Sequence, residues 1–587
     1  MRNRQGLPPE KDGCVDRYYK EQLRMLREGA NAFARQYPAI APMLLTQGGD
    51  PDVERILEGT AYLCGKIHER FDLTAPDLIQ SLLRLVFPQA ILPVPSTTLV
   101  RFALRPGFAE PLDVRQGTQI ASNPVDGVPC IYSTMHDLRV LPLVVASTRY
   151  EAQNEFSGSV SLVLKSRTPL RTFLSGRLSL HLAGGYAAAS QRLQVLLTQL
   201  DHVEVGIGSA TYTLPSSCVT YRPLPLDDLR LPSDKRSNRA YMELIRYFHF
   251  PEQLLFVQVG GLDRLPFSEA ADELRLSFCF RDSAAGLPEF PEGSFELNVV
   301  PAVNVFRVAA DPLVIDHTQE EYLIRPQDGE RRFLEIFSVD KVSALMSGGR
   351  LVPCRPYEAY DAETKGLLYS VRFRTSEKAG LTEHLLTPLY RSDAAQAPLE
   401  RYTLSMELLC CNHTLPGSLR AGDVCRPTDS SPAQASYTNL GPPAPMLPRP
   451  CEESLQWRFL SHLNANLLSL ASPEALRSLL ELYMPETASA PELAAANRHR
   501  CQSVKGFSSR NEEMLFRGRL LCGRELLLTL DPSGFVSEGD LYLFTNALDR
   551  FFTEFTSINN YSRLFLSIVG TGKTEQWPPR LGEKRLI

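Results

Sequence analysis

The first stretch of the chain alternates apolar and polar residues with a helical period. In "YYKEQLRMLREGANAFARQY" the positions Tyr19, Leu23, Leu26, Ala30, Phe33 and Tyr37 follow one another at steps of four and three. That spacing lines one face of a helix and matches the seam of a coiled coil. Pro38 closes it. The next stretch, "PDVERILEGTAYLCGKIHERFD", repeats the spacing at Val53, Leu57, Thr60, Cys64, Ile67 and Phe71, with Asp50 as the N-cap and Pro51 in the first helical position. A third, shorter helix is predicted over "APDLIQSLLRLVF", carrying Leu78, Leu82, Leu85 and Val86 and stopped by Pro88. Ile56, Ala61 and Leu63 widen the second stripe, and a broad stripe packs against more than one neighbour. Either a self-contained helical hairpin or a bundle completed by other chains satisfies this pattern. Three helices alone make a thin core, which favours the shared bundle.

Past Pro93 the period shortens to two. "STTLVRFALRP", "GSVSLVLKS", "GRLSLHLAG", "LRLSFCFRD", "GLLYSVRFRT" and "YTLSMELLCCN" all alternate and are separated by Gly, Pro, Ser and Asp clusters. This predicts antiparallel sandwiches or barrels. One helical island, residues 238–259, reads as a helix followed after Pro251 by a strand. The proline-rich residues 427–450 lack periodicity and read as a linker or an extended wrapping arm. Helical spacing returns from 454, and from Gly506 strands resume around one amphipathic helix at "LYLFTNALDRFFTEFTSI". The expected fold class is α+β: an N-terminal helical bundle segment, then several β-rich, sandwich- or barrel-like domains with helical insertions. The corresponding segmentation is 1–95 for the helices, 96–300 for a β-rich domain with a helical insertion near 238–250, 301–425 for a second β-rich domain, 426–453 for the linker or arm and 454–587 for a C-terminal α+β domain.

Bulk composition narrows the function classes. With 587 residues, 43% apolar and 22% charged, the chain is an ordinary globular protein of several domains. The net charge of −5, from 62 basic and 67 acidic residues, carries none of the basic excess that nucleic-acid binding requires. The start "MRNRQGLPPEKDG" lacks the apolar core of a secretory signal, and no stretch reaches the apolar length of a membrane span, so a cytoplasmic protein without direct membrane insertion is expected. The twelve cysteines show no C-x-x-C spacing and read as reduced, buried small hydrophobes; the neighbours Cys410 and Cys411 point to opposite faces on a strand.

Candidate chemistry is sparse. "LFLSIVGTGKTEQWPPR" leads an apolar strand into Gly570-Thr571-Gly572-Lys573-Thr574, the ending of a phosphate-cradling loop. Ser567 stands where that loop needs its first glycine, no helix follows, and only thirteen residues remain after Thr574. A strand, a tight glycine turn and a tail is the reading that remains; the alternative would be a nucleotide-binding protein or a cytosolic β-rich enzyme using the 570–574 loop. Asp316-His317 and Asp201-His202 pair a carboxylate with an imidazole, but strand neighbours face opposite ways and form no direct relay. Ser338-Val339-Asp340-Lys341 matches S-x-x-K without its companion motifs, and "DPSGFVSEGD" at 531–540 lacks calcium-loop spacing. No catalytic residue, cofactor or metal site is expected.

Longer phrases are more informative. "RYYKEQLRMLREGANAFARQYP", "DPDVERILEGTAYLCGKIHERFD", "LIQSLLRLVFPQAILPVPS", "ELIRYFHFPEQLLFV", "VVPAVNVFRVAADPLVIDHTQEEYLIRP", "EIFSVDKV", "LLCCNHTLPG", "WRFLSHLNANLLSL" and "LDRFFTEFTSINNYSRL…WPPRLG" run in order from residue 17 to residue 582. In these the chain resembles the TssF family (also called ImpG or VasA), the baseplate wedge subunits of bacterial type VI secretion systems. The departures are an extension before Cys14 and the proline-rich 427–450. The resemblance implies a structural role. Two copies with one TssG would form each wedge of a six-fold baseplate, together with TssE and TssK, around the VgrG spike, in contact with neighbouring wedges and docked at the inner-membrane complex. It also implies that the N-terminal helices join those of the second copy and of TssG. Tyr19, Leu23, Leu26, Ala30, Phe33, Tyr37, Val53, Leu57, Ile67 and Phe71 are the expected interface residues.

Overall fold

The computed structural model describes residues 12–36, 51–154, 157–174, 176–222, 239–266, 271–281, 287–327, 333–346, 348–359, 367–375, 382–389, 401–463, 472–484, 490–516, 519–558 and 560–582. The chain divides into two compact units, Met1–Leu83 and Arg84–Ile587.

The first unit holds the helix Asp12–Gln36 and most of the helix Pro51–Val86. The two run antiparallel, since Gly65 lies against Tyr19 while Arg27 pairs with Glu54. Gly65 is required at this crossing: a Cβ there would stand 3.0 Å from the Tyr19 amide nitrogen, tighter than backbone normally tolerates. Beside it Ala61 is fully buried and Leu23 is only 9% exposed. The helices predicted separately over 51–71 and 75–86 are one 36-residue element that continues through Pro76. A proline inside a helix removes one hydrogen bond and costs about 3 kcal/mol. Helical spacing on both sides of Pro76 supplies enough propagation to carry the helix across that gap.

The second unit is built on sheets that draw strands from distant parts of the chain. A six-stranded sheet runs in the order Val424–Arg426, Gln119–Val125, Val128–Thr134, Val299–Val303, Thr97–Leu104, Ala435–Asn439. A five-stranded sheet has Ala210–Pro215, Leu200–Ile207, Glu273–Phe280, Ser157–Ser166 and Leu143–Asn154 in that order. An eight-stranded sheet is centred on Glu335–Leu345 and Tyr402–Cys411. In the latter strand Tyr402, Leu404, Met406, Leu408 and Cys410 alternate into one core with Ile315, Ala344 and Leu386. Each of the six runs read as strands from alternation contains a strand. The island at 238–259 is the helix Arg239–His249 followed by the strand Phe256–Val259. Among the described residues no cysteine forms a disulfide; Cys130, Cys279, Cys410, Cys411 and Cys501 are buried as expected, whereas Cys425 and Cys522 are exposed.

Residues 424–449 are threaded into this architecture. They supply both edge strands of the six-stranded sheet, and a bridge joins Leu447 to Val94. Arg449 is buried, and its guanidinium donates to the carbonyls of Ile91 (2.7 Å), Ile336 (2.9 Å) and Phe337 (3.0 Å). Burial lowers its pKa to about 10 despite the nearby Glu335 carboxylate, and burial likewise raises Glu335.

Two helices escape a periodicity reading. Tyr186–Thr198 buries Ala189, Arg192, Leu193, Gln194, Val195 and Leu196, so it presents no polar face to betray it. Pro491–Gln502 is polar and weakly patterned. The helix Glu538–Thr553 is covered on almost every side, and it connects the parallel strands Arg519–Leu530 and Asn560–Ile568 in a β-α-β crossover. Gly539 allows this helix to cross Tyr186–Thr198, because a Cβ there would fall 2.1 Å from the Ser190 carbonyl carbon.

At that crossing the Asp540 carboxylate gathers four helices. It accepts from the hydroxyls of Tyr186 (2.7 Å) and Tyr247 (2.6 Å) and from Arg500 Nε (3.1 Å). Asp540 and Arg500 are both buried, so each neutralises a charge that would otherwise be stranded.

His181 sits buried against Phe256, with a ring nitrogen 3.4 Å from the Glu252 carbonyl oxygen. Burial depresses its pKa to about 4. Free histidine titrates near about 6.5, so the unfolded chain binds the proton first as pH falls. Stability from the neutral ring is complete above about pH 6.5 and is lost between there and about pH 4, a loss of about 3 kcal/mol. Denaturant midpoints measured across this window are expected to fall with acid, and His181→Gln to flatten the fall. An equal slope in the variant would assign the acid sensitivity to other groups.

Candidate functional site

The helix Pro51–Val86 carries an exposed apolar stripe. Ile56 is 68% exposed, Leu63 64%, Ile67 55% and Leu78 62%. At about 100° per residue these positions fall within roughly 60° of one another around the helix. Tyr62 on the same helix and Met25 and Phe33 on Asp12–Gln36 are also large, apolar and exposed. A soluble chain keeps contiguous apolar surface small unless something covers it.

The expected interface residues divide between the inside and the outside of the helical pair. Leu23 is buried; Tyr19, Leu26, Ala30, Val53 and Leu57 are partly buried; Phe33 and Ile67 are exposed. Tyr37 and Asp50 lie outside the described residues, as does the Phe71 side chain. Leu23 therefore serves the pair's own packing, and the open surface is centred on Ile56, Leu63 and Ile67. The widening of the second stripe was the sequence signal for it.

The other candidates assemble as follows. The 570–574 segment is a hairpin turn: Asn560–Ile568 pairs antiparallel with Thr574–Gln576, Ser567 opposite Thr574. Gly570 and Gly572 take positive φ (83° and 61°) to close it. The chain thus returns into a strand where a phosphate loop would open a helix, and the expectation of a tail directly after the turn is corrected by this strand. The tail docks further on, where Trp577 is buried and its indole N–H donates to Asn546 Oδ1 (2.8 Å).

Asp316 accepts from the Thr318 amide (3.2 Å), the Thr318 hydroxyl (2.8 Å) and the Tyr322 hydroxyl (3.2 Å), which holds its carboxyl below the usual range. It shapes its own turn, with His317 at φ 62°. Lys341 pairs with Glu407 (3.2 Å) across the strands. In "DPSGFVSEGD" Asp531 caps a short turn, Ser537 caps the helix Glu538–Thr553 and Asp540 points inward to Arg500.

Asp201 and His202 differ from expectation, because they do meet: His202 Nδ1 is 3.0 Å from Asp201 Oδ2. The pairing of Leu200–Ile207 with Glu273–Phe280 places Cys279 opposite His202 and Phe280 opposite Leu200, leaving Asp201 unopposed. That β-bulge breaks the alternation, so neighbouring side chains can reach each other.

A multi-sheet α+β chain with an open apolar helical face has the form of an assembly subunit. The chain belongs to the family "Type VI secretion system, TssF", whose model matches residues 12–584. It is 27% identical, over 97% of its length and 98% of the relative's, to the type VI secretion system component TssF1 of Pseudomonas aeruginosa. It is similar, at 25% identity and a TM-score of 0.77, to a chain in the TssK-TssF-TssG baseplate subcomplex solved by cryo-electron microscopy, covering 91% of this chain and 99% of that one. A second match, at 25% identity and a TM-score of 0.60, is to a chain of a type VI secretion baseplate complex, over 96% of this chain and 99% of that one.

Proposed function

We propose that this chain is a non-catalytic wedge subunit of a type VI secretion baseplate, and that its function is the geometry of its interfaces. The observation that carries this reading is the apolar stripe at Ile56, Leu63, Ile67 and Leu78, left open to solvent on a single chain. Helices of a second copy and of a TssG-like protein cover that stripe, as in a shared bundle. TssK binds the same assembly; TssE, the VgrG spike and neighbouring wedges complete the baseplate from which the sheath starts, in the cytoplasm at the inner-membrane complex. Family membership over nearly the whole chain supports this assignment, and so does the similarity to a chain from a TssK-TssF-TssG subcomplex.

Co-expression with the TssG-like protein of the same system tests it. Native mass spectrometry is expected to give a soluble complex with two copies of this chain for each partner. A chain that purifies alone and ignores that partner would overturn the proposal.

A further inference from the structure

The bulge at Asp201 does more than bring two neighbours together. His202 and Glu204 project from the outer face of Leu200–Ile207, opposite the buried Val203 and Val205, and Cys279 stands across from His202 on the adjacent strand. One donor atom from each of His202, Glu204 and Cys279 lies within 4.8 Å of the others. From this geometry we infer a site for a zinc-class divalent cation, held by His202 Nε2, a Glu204 carboxylate oxygen and the Cys279 sulfur.

Three features support this beyond proximity. First, the donor set is one imidazole, one carboxylate and one thiol, which suits zinc, a borderline-soft ion that binds nitrogen, oxygen and sulfur in tetrahedral geometry. Second, Asp201 acts as the supporting carboxylate. His202 Nδ1 lies 3.0 Å from Asp201 Oδ2, and the opposite ring nitrogen, Nε2, faces Glu204 Oε1 at 3.7 Å. A histidine whose other nitrogen is fixed by a carboxylate is the usual zinc ligand arrangement. Third, the bulge is the device by which a sheet re-aims a side chain, and here it turns the supporting Asp201 toward the ring.

The fourth tetrahedral position faces outward, since His202 and Glu204 are partly exposed while Cys279 is buried. Water fills it. Zinc bonds of about 2.0–2.3 Å place ligand atoms roughly 3.3–3.6 Å apart, so closing the site takes shifts of about 1 Å in side chains with room to move. Asp201 is itself neutralised by Arg281 (3.0 Å), which leaves the carboxylate of Glu204 facing the site. On binding, the Cys279 S–H gives its proton to solvent and the thiolate bonds the metal; no electron is transferred.

The full chain, stripped with a chelator, is to be titrated with Zn2+ by calorimetry and with Co2+ by absorption. A single tight ion per chain is expected, with a thiolate-to-cobalt charge-transfer band. Cys279→Ser is expected to abolish the band and, like His202→Ala, to weaken Zn2+ binding more than about 100-fold, and Asp201→Asn about 10–100-fold through the ring it orients. Replacing the exposed Cys425 and Cys522 by Ser is expected to leave both signals intact, which separates this site from adventitious thiols. Glu204→Gln changes a partly exposed side chain and keeps the test independent of folding; it is expected to weaken Zn2+ at least about 10-fold. Unchanged affinity in Glu204→Gln and His202→Ala, or a band that survives Cys279→Ser, would overturn the assignment.

Discussion

Replacing Ile56 and Leu63 together by Asp is expected to abolish the complex with the TssG-like partner while leaving the free chain folded. Both side chains are mostly exposed on the single chain, so charging them removes nothing from its core. In the proposed shared bundle each would bury an aliphatic side chain, worth about 1.5–3 kcal/mol apiece. Losing both, about 3–6 kcal/mol, weakens the complex roughly 100- to 20,000-fold before the cost of burying two carboxylates is added. Co-purification and native mass spectrometry read the outcome, and circular dichroism checks the fold. Leu23→Asp is the informative contrast. Leu23 is buried beside the Gly65 crossing, so its charge disrupts the helical pair itself and lowers stability even without a partner. Should the double variant bind as well as the original chain, the stripe is not where the bundle closes.

The second large effect is expected at Asp540. Changing it to Ala leaves the Arg500 guanidinium buried without its carboxylate and strips the Tyr186 and Tyr247 hydroxyls of their acceptor. Breaking a buried pair from one side costs about 3–5 kcal/mol. Because Tyr186, Tyr247, Arg500 and Asp540 come from four helices separated in sequence, the loss is expected to loosen all four together. Hydrogen exchange should show 186–198, 239–249, 491–502 and 538–553 losing protection as one group. Removing both charges with Arg500→Met in addition to Asp540→Ala is expected to recover part of the stability. If exchange rises only in Glu538–Thr553, Asp540 caps its own helix and does not join the four.

Much of this architecture was legible in the residues. Alternation located the six strand runs, because a sheet half covered by core must repeat every second residue. The missing helix after Thr574 excluded a phosphate loop, and the structure supplies the strand that takes its place. Less legible were elements whose surroundings erase the pattern: Tyr186–Thr198 is buried on several sides and shows no stripe, and the two helices predicted within 51–86 are one continuous element. The Asp201–His202 contact failed for a local reason. Alternation assumes unbroken pairing, and one unopposed residue undoes it.

The sequence by itself determined the local periods, the turns and the family, since these depend on neighbours a few residues apart and on the order of long phrases. It also marked the N-terminal helices as carrying more apolar surface than a hairpin buries. Tertiary structure alone decided which of those side chains stay outside. Gly65 lets the two helices touch, which draws Leu23 and Ala61 inward and leaves Ile56, Leu63 and Ile67 in water. It also decided that strands from 97–134, 299–303 and 424–439 share one sheet, and that His202, Glu204 and Cys279 stand within reach of one another. Strand pairing between distant segments is set by the packing of the whole core, and no window of adjacent residues contains it.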